Sequence, residues 1–341
     1  MRRGGDETKP LSEGLYRKKF PIDASMQIMT AGSCFAQNIS KSLRQHGYTV
    51  IDEEPPPASL GGLAAKNFGY SLYSARYGNI YTARHLLQLL RESVGRNEPQ
   101  NVVWQKAGRF YDALRPAIEP NGLASAEEVL AHRAEHLSRV RDVVRKVDLL
   151  VFTFGLTEAW VHKTSGTVYP TAPGTIAGSF DPDQYRFVNF TYEQVLDDFE
   201  RVRRFLKRRR PEVKFLITVS PVPLAATAED EHVLSATVHS KSILRAVAGS
   251  LVRRYDDVDY FPSYELIATP FNGRFYDESG RTVTSEGVDA AMEMFFREHG
   301  DVSPPDAVDP RHRPPRVGSA VYNELREEVI CEDILLDAFA P

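Results

Sequence analysis

The chain contains 341 residues, of which 42% are hydrophobic and 26% are charged, so it is long enough for one large α/β domain or two smaller ones. Its net charge of −4 gives no electrostatic reason to expect binding to nucleic acid or to an anionic membrane. The two cysteines, Cys34 and Cys331, exclude a disulfide framework and favour a reducing compartment. No segment resembles a signal peptide or approaches the roughly 18 apolar residues of a membrane helix. We therefore expect a cytoplasmic protein that does not insert into a membrane.

Strand and helix patterns alternate along most of the chain. The expected strands cover residues 26–30, 48–51, 147–154, 214–220 and 258–261. The expected helices cover 34–46, 80–94, 125–146, 191–209, 231–253 and 285–298, with a short final helix over 319–337. Aromatic and β-branched residues around Gly108 predict a hairpin inserted at 101–115.

This alternation predicts right-handed βαβ units and a parallel sheet with helices on both faces, that is, a three-layer α/β/α sandwich. The run over 147–154 is almost continuously apolar, which is typical of a strand buried on both faces. We expect an irregular lead-in over 1–24, one domain over 25–300 with an insertion at about 96–120, and a C-terminal extension over 301–341.

The pentapeptide Gly32-Ser33-Cys34-Phe35-Ala36 lies at the junction of the first strand and the first helix. A serine at this turn has its hydroxyl near exposed helix N–H groups, and the helix dipole there favours a developing negative charge. This is a suitable position for a nucleophile. Serine is also a preferred helix N-cap, and a cysteine such as Cys34 is also a common small buried residue, so the pattern alone leaves these alternatives open.

Three predicted strands end next to small or polar residues. Ser33, Gly155 and Ser220 each follow a strand, and parallel strands bring their carboxyl ends to the sheet edge where ligands bind in such folds. Glu158 follows shortly after Gly155. Its carboxylate could orient a substrate or a base, or it could only cap a neighbouring N–H group.

The partners that a nucleophilic serine needs are less clearly marked. Asn67 and Gly69 lie in a loop, where an amide donor and a close approach of the backbone could serve an oxyanion. Histidine usually takes the proton of the serine. The candidates on the helix after Ser220 are His232 and His239, and no pattern selects either of them.

His132-Arg133-Ala134-Glu135-His136 matches the H-x-x-E-H pattern of some zinc peptidases. The two histidines are four residues apart on a predicted helix and could share a zinc ion. A third ligand is not evident and the helix is highly charged, so a solvated helix face accounts for the pattern better. We therefore assign no metal site.

The pentapeptide resembles the motif that defines the GSCFA-domain family. Other segments over about residues 26–298 support the resemblance: Asn67-Phe68-Gly69, Gly155-Leu156-Thr157-Glu158-Ala159-Trp160, Thr218-Val219-Ser220-Pro221-Val222-Pro223, Ser240-Lys241-Ser242 and Tyr260-Phe261-Pro262-Ser263-Tyr264-Glu265. The combination is far more specific than any single segment. The family is similar to the SGNH/GDSL hydrolases, which implies a flavodoxin-like three-layer α/β fold.

The resemblance implies that Ser33 is the nucleophile and Gly69 the oxyanion glycine. The third SGNH block is usually Gly-x-Asn-Asp, but Gly155-Leu156-Thr157-Glu158 has Thr157 at the asparagine position, which leaves the third oxyanion donor open. The fourth block is usually Asp-x-x-His, whereas residues 274–285 contain no histidine.

The missing histidine leaves the identity of the base open. Asp277 is retained, but the expected base position falls near Thr282 or Thr284. Either another histidine supplies the base, or the protein is a weak or inactive hydrolase. Glu158 is a further candidate if burial raises its pKa.

Together these features indicate a serine-dependent esterase or O-acyltransferase that acts on a small or carbohydrate ester, such as an acetylated sugar. The expected oxyanion and substrate-binding residues are Asn67, Gly69, Gly155 and Thr157. No metal or organic cofactor is expected, although a transferase needs an acyl donor. The alternative is a non-catalytic module that binds a glycan or acyl group in the same pocket.

Overall fold

The structure is a computed structural model that describes residues 14–268 and 275–300. The strands are β1 (Ile28–Gly32), β2 (Val103–Lys106), β3 (Arg109–Asp112), β4 (Leu149–Phe154), β5 (Glu158–His162), β6 (Val168–Tyr169), β7 (Tyr185–Asn189), β8 (Lys214–Val219) and β9 (Val258–Tyr260). The helices are α1 (Phe35–Gln45), α2 (Gly62–Asn67), α3 (Ala83–Glu92), α4 (Ala126–Lys146), α5 (Tyr192–Lys207), α6 (Val233–Arg254), α7 (Ser263–Ala268) and α8 (Ser285–His299). The predicted final helix over 319–337 lies outside the described residues.

A four-stranded parallel sheet forms the centre of the domain, with the strand order β1-β4-β8-β9. Its register aligns Met29 with Leu150, and Leu150 in turn with Phe215. Val50 adds one parallel bridge to Ile28 on the outer side of β1, so the predicted strand over 48–51 is reduced to a single bridge. With this bridge counted as a strand, the order is that of flavodoxin-like folds.

Helices cover both faces of the sheet. On β4, Leu150 and Phe152 belong to one apolar cluster, whereas Leu149 and Val151 belong to another. The first cluster contains side chains of α3, α4, α5 and α6, and the second contains side chains of α1, α7 and α8. Because β4 is buried along its whole length, the predicted three-layer α/β/α sandwich is confirmed.

Two smaller sheets lie outside the central one. The predicted hairpin is formed by β2 and β3, and its turn residues Ala107 and Gly108 have the positive φ angles of 48° and 75° that tight hairpins need. A three-stranded antiparallel sheet with the order β6-β5-β7 was not predicted. Its strand β5 begins at Glu158, directly after the turn that ends β4.

The described part of the lead-in packs against the domain. Residues 14–24 form no helix or strand. Tyr16, Phe20 and Ile22 are buried in the cluster that also contains α1 and α8. The hydroxyl of Tyr16 donates to a carboxylate oxygen of Asp259 at 3.0 Å. These residues therefore contribute to the core beneath α1 rather than standing apart from it.

Candidate active site

Ser33 directly follows β1 and is 3% exposed. Its hydroxyl is buried and has no hydrogen-bond partner among the described residues. Helix α1 has Cys34, not Ser33, at its N-cap position and lacks a side-chain cap, so the alternative of Ser33 as a helix cap is wrong. A buried hydroxyl without a partner costs free energy, and a catalytic role is one reason for a protein to retain such a group.

Glycines on both sides fix the position of Ser33. Gly32 has a φ of +141°, and a Cβ on it would lie 2.5 Å from the carbonyl oxygen of Thr153. A Cβ on Gly155 would lie 3.1 Å from the Cβ of Ser33. The backbone N–H of Ser33 donates to the carbonyl of Thr153 at 3.2 Å. The serine is therefore held between the ends of β1 and β4.

A cavity of about 80 Å³ opens at the carboxyl edge of the central sheet. Ser33, Gly155 and Ser220 all line it, so the predicted convergence of three strand ends is confirmed. The apolar part of the wall consists of Tyr81, Leu156, Val222, Pro223, Leu224 and Ala225, and the other lining residues are Cys34, Lys241, Arg281 and Thr282. A water molecule needs about 10–15 Å³ on this measure, so the cavity has room for several non-hydrogen atoms.

Lys241 on α6 lines the cavity, and the sequence analysis gave it no role although it belongs to the family segment Ser240-Lys241-Ser242. Its side chain is 2% exposed, and its Nζ donates to the carbonyl of Gly155 at 2.6 Å. Burial lowers the pKa of the amine to about 7, and the nearby Cys34 opposes this change. No carboxylate among the described residues pairs with it. The neutral, basic form of the amine is therefore accessible near neutral pH.

Helix α6 and the loop before α3 hold the turn that follows β4. The N–H of Gly155 donates to the carbonyl of Tyr81 at 3.0 Å. The N–H of Thr157 donates to the hydroxyl of Ser240 at 3.0 Å, and the Thr157 hydroxyl donates to Asn189 Oδ1 at 2.6 Å. Both predicted binding residues of this turn thus have their N–H groups engaged by protein acceptors.

Asn67 and Gly69 lie at and just beyond the end of α2 and are not among the residues that line the cavity. Asn67 is exposed. Gly69 has a φ of +73° and packs against Ile118, and its N–H donates to the carbonyl of Lys66 at 2.8 Å. The oxyanion role of these two residues stays a prediction, and this placement does not favour it.

A different asparagine, Asn79, is linked to the backbone of Ser33 through Tyr73. The hydroxyl of Tyr73 donates to the Ser33 carbonyl at 3.0 Å and also contacts Asn79 Oδ1. The Asn79 amide in turn donates to the hydroxyl of Tyr81, a cavity residue, at 2.8 Å. The sequence signal for this loop was the Gly-Asn pair at 78–79 before a helix, which is too common to select it.

The sequence of the central domain matches one known family. The model of the GSCFA family matches residues 27–295. The chain belongs to the GSCFA family. The matched range includes the central sheet, Ser33 and Lys241, so the cavity is part of the family domain. A comparison with curated proteins finds no match.

Solved structures similar to this GSCFA protein show a low degree of likeness. A carbohydrate esterase family 3 structure from Talaromyces cellulolyticus has 13% identity and a TM-score of 0.28, with 65% of this chain and 93% of that chain covered. An acetyl esterase mutant with acetate ion has the same four values. A structure described as a platelet activating factor from Streptococcus pneumonia has 13% identity and a TM-score of 0.27, and the match covers 45% of this chain and 59% of that chain. These scores transfer no functional property to this protein.

No histidine of the described residues lines the cavity. His232 is the exposed N-cap of α6 and accepts from the N–H of Leu234 at 3.1 Å. His239 is also exposed. Thr282, near the expected base position, does line the cavity, but it supplies a hydroxyl in place of an imidazole. The GSCFA protein therefore does not bring either predicted histidine into the cavity wall.

Glu158 is buried at the start of β5 and does not line the cavity. The hydroxyl of Thr227 donates to its Oε1 at 2.8 Å. Burial raises the pKa of Glu158 to about 6, and the negative charges of Glu229 and Glu231 act in the same direction. The raised pKa agrees with the sequence-based condition, but the carboxylate is separated from the cavity that contains Ser33.

The two histidines of the zinc pattern have different surroundings. His136 is buried and its Nδ1 lies 2.7 Å from a carboxylate oxygen of Glu54, whereas His132 is exposed. Within residues 14–268 and 275–300 no group of three metal-binding side chains is found. In the same part of the chain, no helix has the length and apolar character needed to cross a membrane.

Proposed function

We propose that this protein transfers a short acyl group from an ester to the hydroxyl of Ser33 and then to water or to a second alcohol. The observation that carries the proposal is the buried Ser33 hydroxyl, which has no hydrogen-bond partner among the described residues and borders an apolar cavity. Attack on the ester carbonyl forms a serine ester and releases the alcohol. Water as acceptor makes the protein an esterase, and a sugar hydroxyl makes it an O-acyltransferase.

The shape and polarity of the cavity suggest the substrate class. The inner wall is mostly apolar and has room for a short acyl group such as acetyl. Arg281 and Thr282 also line the cavity and are exposed, so they form a polar rim. A hydroxyl-rich alcohol, such as a carbohydrate, suits this rim. The chemistry needs no metal or organic cofactor, but transfer requires an acyl donor.

The surroundings of Ser33 also favour a developing negative charge. Helix α1 begins at Phe35, so its positive N-terminal end lies next to the serine. Lys241 adds a positive charge to the cavity wall whenever it is protonated. Groups that stabilise an oxyanion are each worth roughly 100-fold or more in rate. The expected donors on the backbone are engaged elsewhere, which makes the helix end and the lysine the available contributors.

The test is hydrolysis of p-nitrophenyl acetate by wild type, Ser33→Ala and the exposed control Ser235→Ala. We expect the control to match wild type and the Ser33 variant to fall to the uncatalysed rate. Peptide mass spectrometry after a rapid acid quench should find an acetyl group on Ser33. An acetylated oligosaccharide, with and without an acceptor sugar, then separates hydrolysis from transfer. Equal rates for wild type and Ser33→Ala, with no label on Ser33, would reject the proposal.

A second candidate function is a binding module that retains the pocket without catalysis. Two observations favour it: no imidazole of the described residues lines the cavity, and protein acceptors engage the expected backbone donors. In that case wild type and Ser33→Ala should bind an acetylated oligosaccharide with equal affinity in titration calorimetry. Neither protein should then form an acyl-enzyme.

A further inference from the structure

Among the described residues that line the cavity, one side chain can change its charge near neutral pH and accept a proton through nitrogen. Lys241 lines the same cavity as Ser33, and burial leaves it with a pKa of about 7. The other titratable or charged side chains on the lining are Cys34, Tyr81 and Arg281. Arginine stays protonated in proteins and cannot accept a further proton. The lysine is therefore the nitrogen base that the cavity offers to the serine.

We propose that Lys241 is the general base that activates Ser33, an inference that rests on the proposed acyl transfer. One N–H of the amine donates to the carbonyl of Gly155 at 2.6 Å, and Gly155 packs directly against Ser33. This bond fixes the amine at the wall of the cavity that Ser33 also lines, and it leaves the lone pair of the neutral amine available. The Ser33 hydroxyl has no competing partner among the described residues, so it can turn toward the amine. Catalytic hydrogen bonds often form only when the substrate is bound.

The proton balance of the reaction is complete with these two groups. The neutral Lys241 amine takes the proton of the Ser33 hydroxyl as the serine oxygen bonds to the acyl carbon. The resulting ammonium gives that proton to the leaving alcohol oxygen as the ester bond breaks. In the second half, the neutral amine takes a proton from water or from the acceptor hydroxyl, and the returned proton restores Ser33.

The alternative is a purely structural lysine that locks the Gly155 carbonyl. Other buried cations in this protein are paired with carboxylates: Arg133 and Arg115 both contact Asp112, for example. Lys241 has no such partner in the described part of the chain, which disfavours a permanently charged structural role. A structural role and a catalytic role also predict different effects of an arginine at this position.

The test measures how fast a fluorophosphonate probe labels Ser33 in wild type, Lys241→Met, Lys241→Arg and the exposed control Lys163→Met. We expect the methionine variant to label at least roughly 100-fold more slowly, the usual contribution of a general base. The arginine variant keeps a hydrogen-bond donor but cannot lose its proton, so it should be equally slow. The wild-type rate should rise with pH around a midpoint near 7, and both Lys241 variants should lack that midpoint.

The outcomes separate this inference from the proposed function. If wild type labels Ser33 while Lys241→Met labels within a few-fold of it and keeps the same pH midpoint, the base assignment is rejected and the nucleophile stands. Recovery of the rate by Lys241→Arg would assign the lysine a structural role. If wild type shows no label on Ser33, the proposed function fails and the base assignment fails with it. Circular dichroism verifies that each variant is folded before labelling.

Discussion

Replacing Lys241 by methionine should stabilise the folded protein at neutral pH while it removes activity. The pKa of the amine falls from the ordinary 10.5 to about 7 because the side chain is buried. At about 1.4 kcal/mol for each pKa unit, holding the lysine in this site costs about 4 kcal/mol at pH 7. Methionine fills a similar volume without a charge, but it loses a hydrogen bond to Gly155 worth about 1 kcal/mol. We expect the free energy of unfolding to rise by about 2–3 kcal/mol.

The pH dependence of this effect has a definite sign. The folded pKa lies below the unfolded one, so the unfolded wild type binds more protons between about pH 7 and 10.5. The stability of wild type therefore rises with pH relative to the variant, and the advantage of Lys241→Met shrinks toward pH 10.

Urea unfolding at about pH 7 and pH 10 measures both the size and the sign. The exposed Lys163→Met serves as the control and should change the free energy of unfolding by less than about 0.5 kcal/mol. A Lys241 variant that is less stable than wild type by the same amount at both pH values would refute the reasoning, because it would mean that the folded protein holds the lysine charged.

Three further predictions concern stability and use urea unfolding as the measurement. Gly32→Ala should cost more than about 3 kcal/mol, since its Cβ would overlap β4 at a positive φ; a loss below about 1 kcal/mol would contradict the close approach. Arg133→Met should cost about 3–5 kcal/mol because it leaves the buried Glu92 without its ion-pair partner and leaves Asp112 with Arg115 alone, whereas the exposed Arg145→Met on the same helix should cost less than about 1 kcal/mol; equal costs would be inconsistent with this difference. Burial lowers the pKa of His85 and His136 from 6.5 to about 4, so the unfolded state binds more protons than the folded state between these pH values. The free energy of unfolding should therefore fall by about 2 kcal/mol per histidine between about pH 7.5 and 5. A variant with glutamine at both positions that keeps the same pH slope would disprove this.

Local patterns predicted those parts of the fold in which neighbouring residues decide the structure. The apolar run of β4 and the hairpin around Gly108 are examples, because burial on both faces and the positive φ of a glycine follow from the residue types themselves. The antiparallel sheet around β5 was missed because its pairing is distant in sequence: Glu158 aligns with Asn189. The charged and polar residues in these strands give no clear alternation to mark them.

In the candidate site, too, local features were predicted from the sequence, whereas features that depend on tertiary packing were not. Ser33 was predicted because the strand-to-helix junction is a local feature and its pentapeptide resembles the family motif. Lys241 was missed because an isolated lysine on a helix usually faces solvent, and its burial here depends on how α6 packs over the end of β4. His232 and His239 have the residue type of a base, yet both face solvent on α6. Two signals were available: Ser240-Lys241-Ser242 is one of the segments that support the family resemblance, and Ser240 lies on the buried face of the helix.

The position of Lys241 bears on two places where this sequence differs from the SGNH motifs. Thr157 replaces the expected asparagine in the third block, and no histidine occurs in the fourth. In the structure, Ser240 accepts from the N–H of Thr157 while Lys241 donates to the carbonyl of Gly155, so two adjacent residues of α6 bind both ends of the turn beside Ser33. The turn is thus fixed from α6, and the same helix brings a basic nitrogen to the cavity. The proposed acyl transfer should accordingly depend on Lys241 of α6, whereas Asp277, which does not line the cavity, should tolerate substitution.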